Sequence, residues 1–195
     1  KTGVFKSIDG GDTWQRLEKG LPELLGRIGI VVAPSEPDTV YVIAESNEGT
    51  LFRSTDGGET FEKRTDDTRI VSRGFYYSKV RVDPRDANRV YGVASLLMRS
   101  VDGGKNFERI SESTHIDFHA LWIDPQNPDR IWQGQDGGIA VSHDRGESWD
   151  PIRNVTLAQF YQVFYDYAEP FYNTGGGLQD NAPANAPVFI PMTGR

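Results

Sequence analysis

One eight-residue pattern recurs four times along this 195-residue chain and constrains its fold more than any other feature. The copies read Ser7-Ile-Asp-Gly-Gly-Asp-Thr-Trp14, Ser54-Thr-Asp-Gly-Gly-Glu-Thr-Phe61, Ser100-Val-Asp-Gly-Gly-Lys-Asn-Phe107 and Ser142-His-Asp-Arg-Gly-Glu-Ser-Trp149, at spacings of 47, 46 and 42 residues. A second element precedes three of them: Ala33-Pro34-Ser-Glu-Pro-Asp-Thr-Val-Tyr41, Val82-Asp-Pro84-Arg-Asp-Ala-Asn-Arg-Val-Tyr91 and Ile123-Asp-Pro125-Gln-Asn-Pro-Asp-Arg-Ile-Trp132. Each period therefore reads strand, Pro/Asp/Asn turn, aromatic-bearing strand, strand, Asp-Gly turn, strand. Four short strands per repeat can bury their faces only against neighbouring repeats, which is the requirement of a β-propeller blade. Helical repeats of similar length would not tolerate this density of Gly and Pro among Val, Ile, Tyr and Phe.

The pattern predicts an all-β chain, a partial β-propeller of four-stranded antiparallel blades. Residues 1–16 supply the outer strands of one blade, about 26–64, 75–110 and 117–153 are whole blades, and 160–195 begins another. Closed rings take roughly four to eight blades, so the expected partners include the remainder of this propeller, or another copy, to close the ring. The opening Lys1-Thr2-Gly3-Val4-Phe5 is neither an initiator Met nor a signal peptide, and the chain reads as a truncated one.

The eight-residue pattern resembles the Asp-box of the BNR repeat family, which includes sialidases, xyloglucanase-type glycoside hydrolases, sortilin-type receptor domains and a photosystem assembly factor. That resemblance implies a hairpin turn between the third and fourth strands of each blade. In it Asp9, Asp56, Asp102 and Asp144 accept turn N–H groups, the glycines adopt positive φ, and the closing Trp or Phe packs between blades. The fourth copy departs from the pattern with Arg145 where the others carry Gly. From Arg27 onward, the segments Gly134-Gln-Asp-Gly-Gly, Ala158-Gln159-Phe160-Tyr161 and Gly175-Gly-Gly-Leu-Gln-Asp-Asn181 are similar to bacterial secreted BNR-repeat, glycosyl-hydrolase-like proteins. This implies a secreted, periplasmic or cell-surface location. The Arg-Ile-Pro type segment of sialidases is absent, which disfavours that activity.

Antiparallel strands alternate in direction, so loops opposite these turns share one face. That face gathers Arg73, Tyr76 and Tyr77, then His115, then Gln159 and Tyr161, with Asp136, Gln179, Asp180 and Asn181 in second-to-third-strand loops. Asp117, Asp136 and Asp180 are candidate glycosidase carboxylates; Arg73, Tyr76, Gln159, Tyr161, Gln179 and Asn181 are candidate ligand contacts. Asp and Asn beside Gly also make turns, and aromatics also fill inter-blade space. If 115–119 is extended, alternate spacing puts His115, Asp117 and His119 on one side, a set that could bind a divalent metal or act as base and orienter.

Acids and bases are interspersed, with a formal charge of −7 and no basic stripe, which argues against nucleic acid and anionic membrane partners. There is no cysteine, which excludes disulfides, thiolate metal sites and a Cys nucleophile. No apolar run is long enough to span a bilayer. Three readings survive: a glycan-directed module, as hydrolase or binder; a protein-binding propeller without catalysis; and a metal enzyme centred on 115–119.

Overall fold

Runs of β-branched and aromatic residues form strands wherever the repeat places them, and the turns between them are closed by their own Asp, Asn and Gly residues. The computed structural model describes residues 2–153, 160–169 and 172–178, and the backbone of 184–187. They fall into two compact units, Lys1–Pro151 and Ile152–Arg195.

In the first unit, β1 (Val4–Lys6) and β2 (Gln15–Leu17) form a hairpin. Three four-stranded antiparallel meanders follow. The second blade holds β3 (Ile28–Ala33), β4 (Glu36–Ala44), β5 (Leu51–Ser54) and β6 (Glu62–Thr65). The third holds β7 (Lys79–Asp83), β8 (Asp86–Val93), β9 (Leu97–Ser100) and β10 (Glu108–Arg109). The fourth holds β11 (Phe118–Ile123), β12 (Ile131–Gln135), β13 (Gly138–Ser142) and β14 (Asp150–Pro151). A 3₁₀ turn at Thr68–Val71, capped by the Asp67 carboxylate on the Arg69 N–H, links the second blade to the third. The second unit is a three-stranded antiparallel sheet of β15 (Phe164–Tyr165), β16 (Asn173–Gly176) and β17 (Ala184–Pro187). Among the described residues no helix is long and apolar enough to cross a membrane.

Apolar burial lies between blades. Val4 packs with Val40, Val42, Phe52 and Phe61; Tyr41 and Ile43 pack with Val80, Val82 and Val90; Tyr91 and Leu97 pack with Phe118, Ile131 and Trp149. These are cores one–two, two–three and three–four, and no described core returns from the fourth blade to the first. The result is an open, partial propeller whose blades are stabilised pairwise.

All four copies of the eight-residue pattern form the same turn. The serine Oγ donates to the aspartate at 2.7 Å each time, and the aspartate accepts the N–H of the residue four beyond the serine's Asp partner, at 2.9–3.0 Å. Its second oxygen takes the side chain of that same residue, Thr13, Thr60, Asn106 or Ser148. Bonds from Ser148 and Ser142 hold Asp144 down to about 2 against a smaller opposing effect of burial. For Asp102 burial is the largest single influence and pushes upward, yet the bonds from Asn106, Ser100 and Lys105 together overcome it, to about 2. These carboxylates are turn struts and stay ionised near neutrality.

Phe61, Phe107 and Trp149 each pack into the core shared with the preceding blade, and the Trp149 indole donates to the Ile110 carbonyl at 2.6 Å. Trp14 is 63% exposed and donates to Gly11 of its own turn. The cation before the turn serine reaches toward the next blade: Lys6 to the Gly57 carbonyl, Arg53 to the Asn88 amide oxygen, Arg99 to the Arg145 carbonyl.

Arg145 completes its turn by adopting the conformation the other copies give to glycine, φ 62° beside 77°, 70° and 71° at Gly10, Gly57 and Gly103. Its N–H still reaches the Asp129 carbonyl, and its Nε lies 2.6 Å from the Asp129 carboxylate. A side chain there costs about 1 kcal/mol, and an exposed ion pair offsets at most about that much. Arg145→Gly is therefore expected to match or slightly exceed the native stability, whereas Arg145→Ala, which keeps the strain and loses the pair, falls about 1 kcal/mol below Arg145→Gly in urea unfolding. Equal stability of the two variants would refute the account.

Candidate functional site

The pairing registers align the blades. Val40, Val90 and Ile131 each pair with the turn serine of their own blade, and five residues further on stand Glu45, Ser95 and Asp136. These three equivalent positions lead the second-to-third-strand turns, at the end of the blades opposite the Ser-x-Asp turns. The segment 72–78, arriving from the 3₁₀ turn, and the start of β11 run alongside them.

Asp117 is the hub of this region. It is 5% exposed; one oxygen accepts the Tyr77 hydroxyl, and the other lies 3.1 Å from Arg73 Nη1. Its N–H donates to the Ser95 carbonyl at 2.9 Å, and Ser95 Oγ is 3.2 Å from the Tyr77 hydroxyl. Burial first, and then the bond to Asp117, push the Tyr77 phenol above its ordinary range. Arg73 and Asp117 both have left-handed backbone, φ 59° and 66°. Arg145 is the third non-glycine residue with positive φ among the described residues, so two of these three uncommon conformations meet in one ion pair. Such strain concentrates where surrounding structure fixes it for a purpose. The Arg73 carbonyl accepts the N–H groups of Tyr76 and Tyr77, closing a turn that leaves Phe75 80% and Tyr76 59% exposed while Tyr77 is buried.

Beside this hub, His119 Nε2 lies 2.9 Å from Asp136 Oδ1. An ionised carboxylate only accepts, so Nε2–H is the donor, and in the neutral imidazole Nδ1 carries the lone pair. The imidazole sits against Tyr77 at 4.8 Å and edge-on to Tyr76 at 5.9 Å between ring centroids, and Lys79 Nζ holds its backbone carbonyl at 2.6 Å. An oriented imidazole flanked by aromatic rings can accept a hydroxyl proton in a hydrogen bond while a ring face covers apolar C–H groups.

The expected alignment of His115, Asp117 and His119 is not present. β11 begins only at Phe118, and the left-handed backbone at Asp117 breaks the alternation, so the three side chains have separate partners: His115 Nδ1 is 2.9 Å from the Ile116 carbonyl, Asp117 is held by Tyr77 and Arg73, and His119 by Asp136. Among the described residues no group of three His, Asp or Glu side chains could hold a metal ion. Of the other expected residues, Arg73, Tyr76 and Asp136 come together here. Tyr161 lies in the second unit, 68% exposed, its N–H on the Gly177 carbonyl. Gln159, Gln179, Asp180 and Asn181 lie outside the described residues.

Glu45 went unremarked in the sequence because Glu45-Ser-Asn-Glu lacks the glycine run that drew attention to 134–138. The signal was the register: it stands where Asp136 stands in its own blade.

Solved structures with the same fold include three GH74 enzymes. An ancestral GH74 enzyme matches with a TM-score of 0.59 at 17% identity, over 95% of this chain and 28% of its own. The GH74 xyloglucanase from Xanthomonas campestris matches with 0.58 at 18%, over 94% and 32%. The Niastella koreensis GH74 enzyme matches with 0.57 at 17%, over 76% and 26%. The chain thus spans about a third or less of the length of these enzymes, and the likeness is one of β-propeller fold. No protein-family model matches the chain, and no curated protein does.

Proposed function

We propose that this chain is part of an Asp-box propeller of the BNR kind that recognises a neutral glycan on the face opposite its Ser-x-Asp turns. The observation that carries the reading is the cluster of exposed Tyr76, the Asp136-oriented His119 and buried Tyr77, which combines ring faces with directed hydrogen-bonding groups. Sugars present that same combination of apolar C–H faces and hydroxyls. Recognition is favoured over hydrolysis because both described candidate carboxylates are engaged, Asp117 by Tyr77 and Arg73 and Asp136 by His119. The likeness in fold to GH74 enzymes, the Xanthomonas campestris xyloglucanase among them, makes xyloglucan the first polymer to try. This reading carries an extracytoplasmic location with it, since xyloglucan is a cell-wall polymer met outside the cytoplasm.

Calorimetric titration of the full chain with xyloglucan, mixed-linkage β-glucan, arabinoxylan and galactomannan tests it. Saturable binding to at least one polymer is expected, weakened about tenfold or more by His119→Ala and by Tyr76→Ala, the loss of one good hydrogen bond or one stacking face. If none of these polymers binds, or if both variants bind as the native chain does, the glycan reading fails and a protein ligand for this face takes its place.

A further inference from the structure

A cleft of about 560 Å³ opens between the β4–β5 turn, the 3₁₀ turn and the segment around Leu25, lined by Leu24, Leu25, Glu45, Asn47, Thr68 and Val71 among others. Its volume falls within the roughly 300–1,000 Å³ of small-molecule sites. Its wall continues into the site described above: Ser72 lines the cleft, and the next residue, Arg73, holds Asp117.

The Glu45 carboxylate is the charged group in this lining, and it is built in from two sides by glycine. A Cβ on Gly26 would come within 2.8 Å of Glu45 Oε2, and a Cβ on Gly74 within 3.2 Å of both its Cδ and Oε2. Neither glycine has positive φ, so neither is required by backbone conformation; what each provides is room for this side chain. Among the described residues no side chain hydrogen-bonds or pairs with the Glu45 carboxylate, which is unlike Asp117 and Asp136 of the fourth blade. The cleft is thus lined by the polar side chains of Glu45, Asn47 and Thr68 and by the apolar ones of Leu24, Leu25 and Val71.

We propose that this cleft is a second sugar subsite, with Glu45 accepting two hydroxyls of one ring and the leucine–valine wall covering its C–H face. The inference rests on the glycan reading and deepens it: because Glu45, Ser95 and Asp136 are equivalent positions on consecutive blades, the ligand is an extended polysaccharide lying across the blade ends from the second blade to the fourth. A carboxylate that accepts from two neutral hydroxyls makes charge-assisted bonds that need no cation on the ligand.

The test is titration of the native full chain and of Glu45→Gln, Glu45→Ala and Gly74→Ala with the same four polysaccharides and with short and long fragments of each. Glu45→Ala is expected to weaken binding of the long ligands about tenfold to a hundredfold. Gly74→Ala, which keeps the carboxylate and displaces it, is expected to weaken it in the same direction, and fragments too short to reach both subsites are expected to bind the native chain more weakly than the long ligands do. Melting curves of the variants identify any loss that comes from unfolding, and Glu45→Gln, isosteric and exposed, is the variant that keeps the fold. If the native chain binds a polysaccharide, His119→Ala weakens it and every cleft variant binds as the native chain does, the second subsite is wrong and the glycan reading stands. If the native chain binds none of the polymers, both fall together.

Discussion

Tyr41→Ala is expected to lower the free energy of unfolding by about 3–5 kcal/mol, the range for removing a fully buried aromatic ring. Tyr41 is 0% exposed, leaves the second blade and packs among Val80, Val82 and Val90 of the third. Its hydroxyl donates to the Ala87 carbonyl at 2.8 Å, and the Arg53 guanidinium lies over the ring at 5.6 Å. Burial pushes its phenol up to about 12, so the group stays protonated and the bond stays made across the neutral range. Tyr41→Phe removes only the hydroxyl and is expected to cost about 1 kcal/mol. Urea unfolding of the two variants checks both figures. A domain of this kind has about 5–15 kcal/mol in total, so Tyr41→Ala consumes a large part of it. The loss is not confined to one blade, because the core that Tyr41 fills belongs to two. A Tyr41→Ala chain that unfolds within 1 kcal/mol of the native one would show that the blades do not depend on each other in this way.

The same distinction between local and shared structure explains how much of the molecule could be read from its sequence. The turns were legible because their bonds run between residues two to four apart, Ser54 to Asp56 and Asp56 to Thr60. Chemistry that local is written in consecutive letters. Arg145 could not stop its turn, since the bonds around it come from Ser142, Asp144 and Ser148. The sheets followed from the turns, with strand order fixed by the meander. The candidate site was legible only as a list of loops on one face. Its bonds join residues far apart, Arg73 to Asp117 and Tyr77 to Asp117, and depend on how neighbouring blades pack. Alternation suggested a row of His115, Asp117 and His119, but one residue at φ 66° sent each side chain to a different partner. The bridging cations Lys6, Arg53 and Arg99 were equally hidden, because their acceptors are backbone or amide oxygens in the next blade and carry no signature in sequence.

Asp117 is where strain, burial and the site meet, and its replacement is the second large effect expected. Asp117→Ala removes both oxygens that hold Tyr77 and Arg73 and places an ordinary side chain in a left-handed conformation. Lost bonds to a buried carboxylate contribute about 1.5–3 kcal/mol and the conformation about 1 kcal/mol more, a total of about 3 kcal/mol after allowance for the exposed Arg73 side chain. Asp117→Asn keeps an acceptor for Tyr77 and tolerates the left-handed backbone, so about 1–2 kcal/mol is expected. The Tyr77 phenol supplies a readout that a general loss of stability would not move. Its elevation comes first from burial and then from the bond to Asp117, so ultraviolet titration should find it lower in Asp117→Asn than in the native chain, yet still above the ordinary value of 10. The sign in stability follows. A phenol whose folded value is raised contributes stability that is fully present below pH 10 and is lost as pH rises through the folded value. The native chain should therefore lose more stability between pH 9 and its alkaline limit than Asp117→Asn does. Because Arg73 is the partner of Asp117 and carries the matching strained backbone, releasing one releases the other. The turn that presents Phe75 and Tyr76 hangs from the Arg73 carbonyl, so Asp117→Ala should also raise amide exchange at Tyr76 and Tyr77. Unchanged exchange there, with an unchanged Tyr77 titration, would mean that the ion pair does not hold the aromatic turn in place.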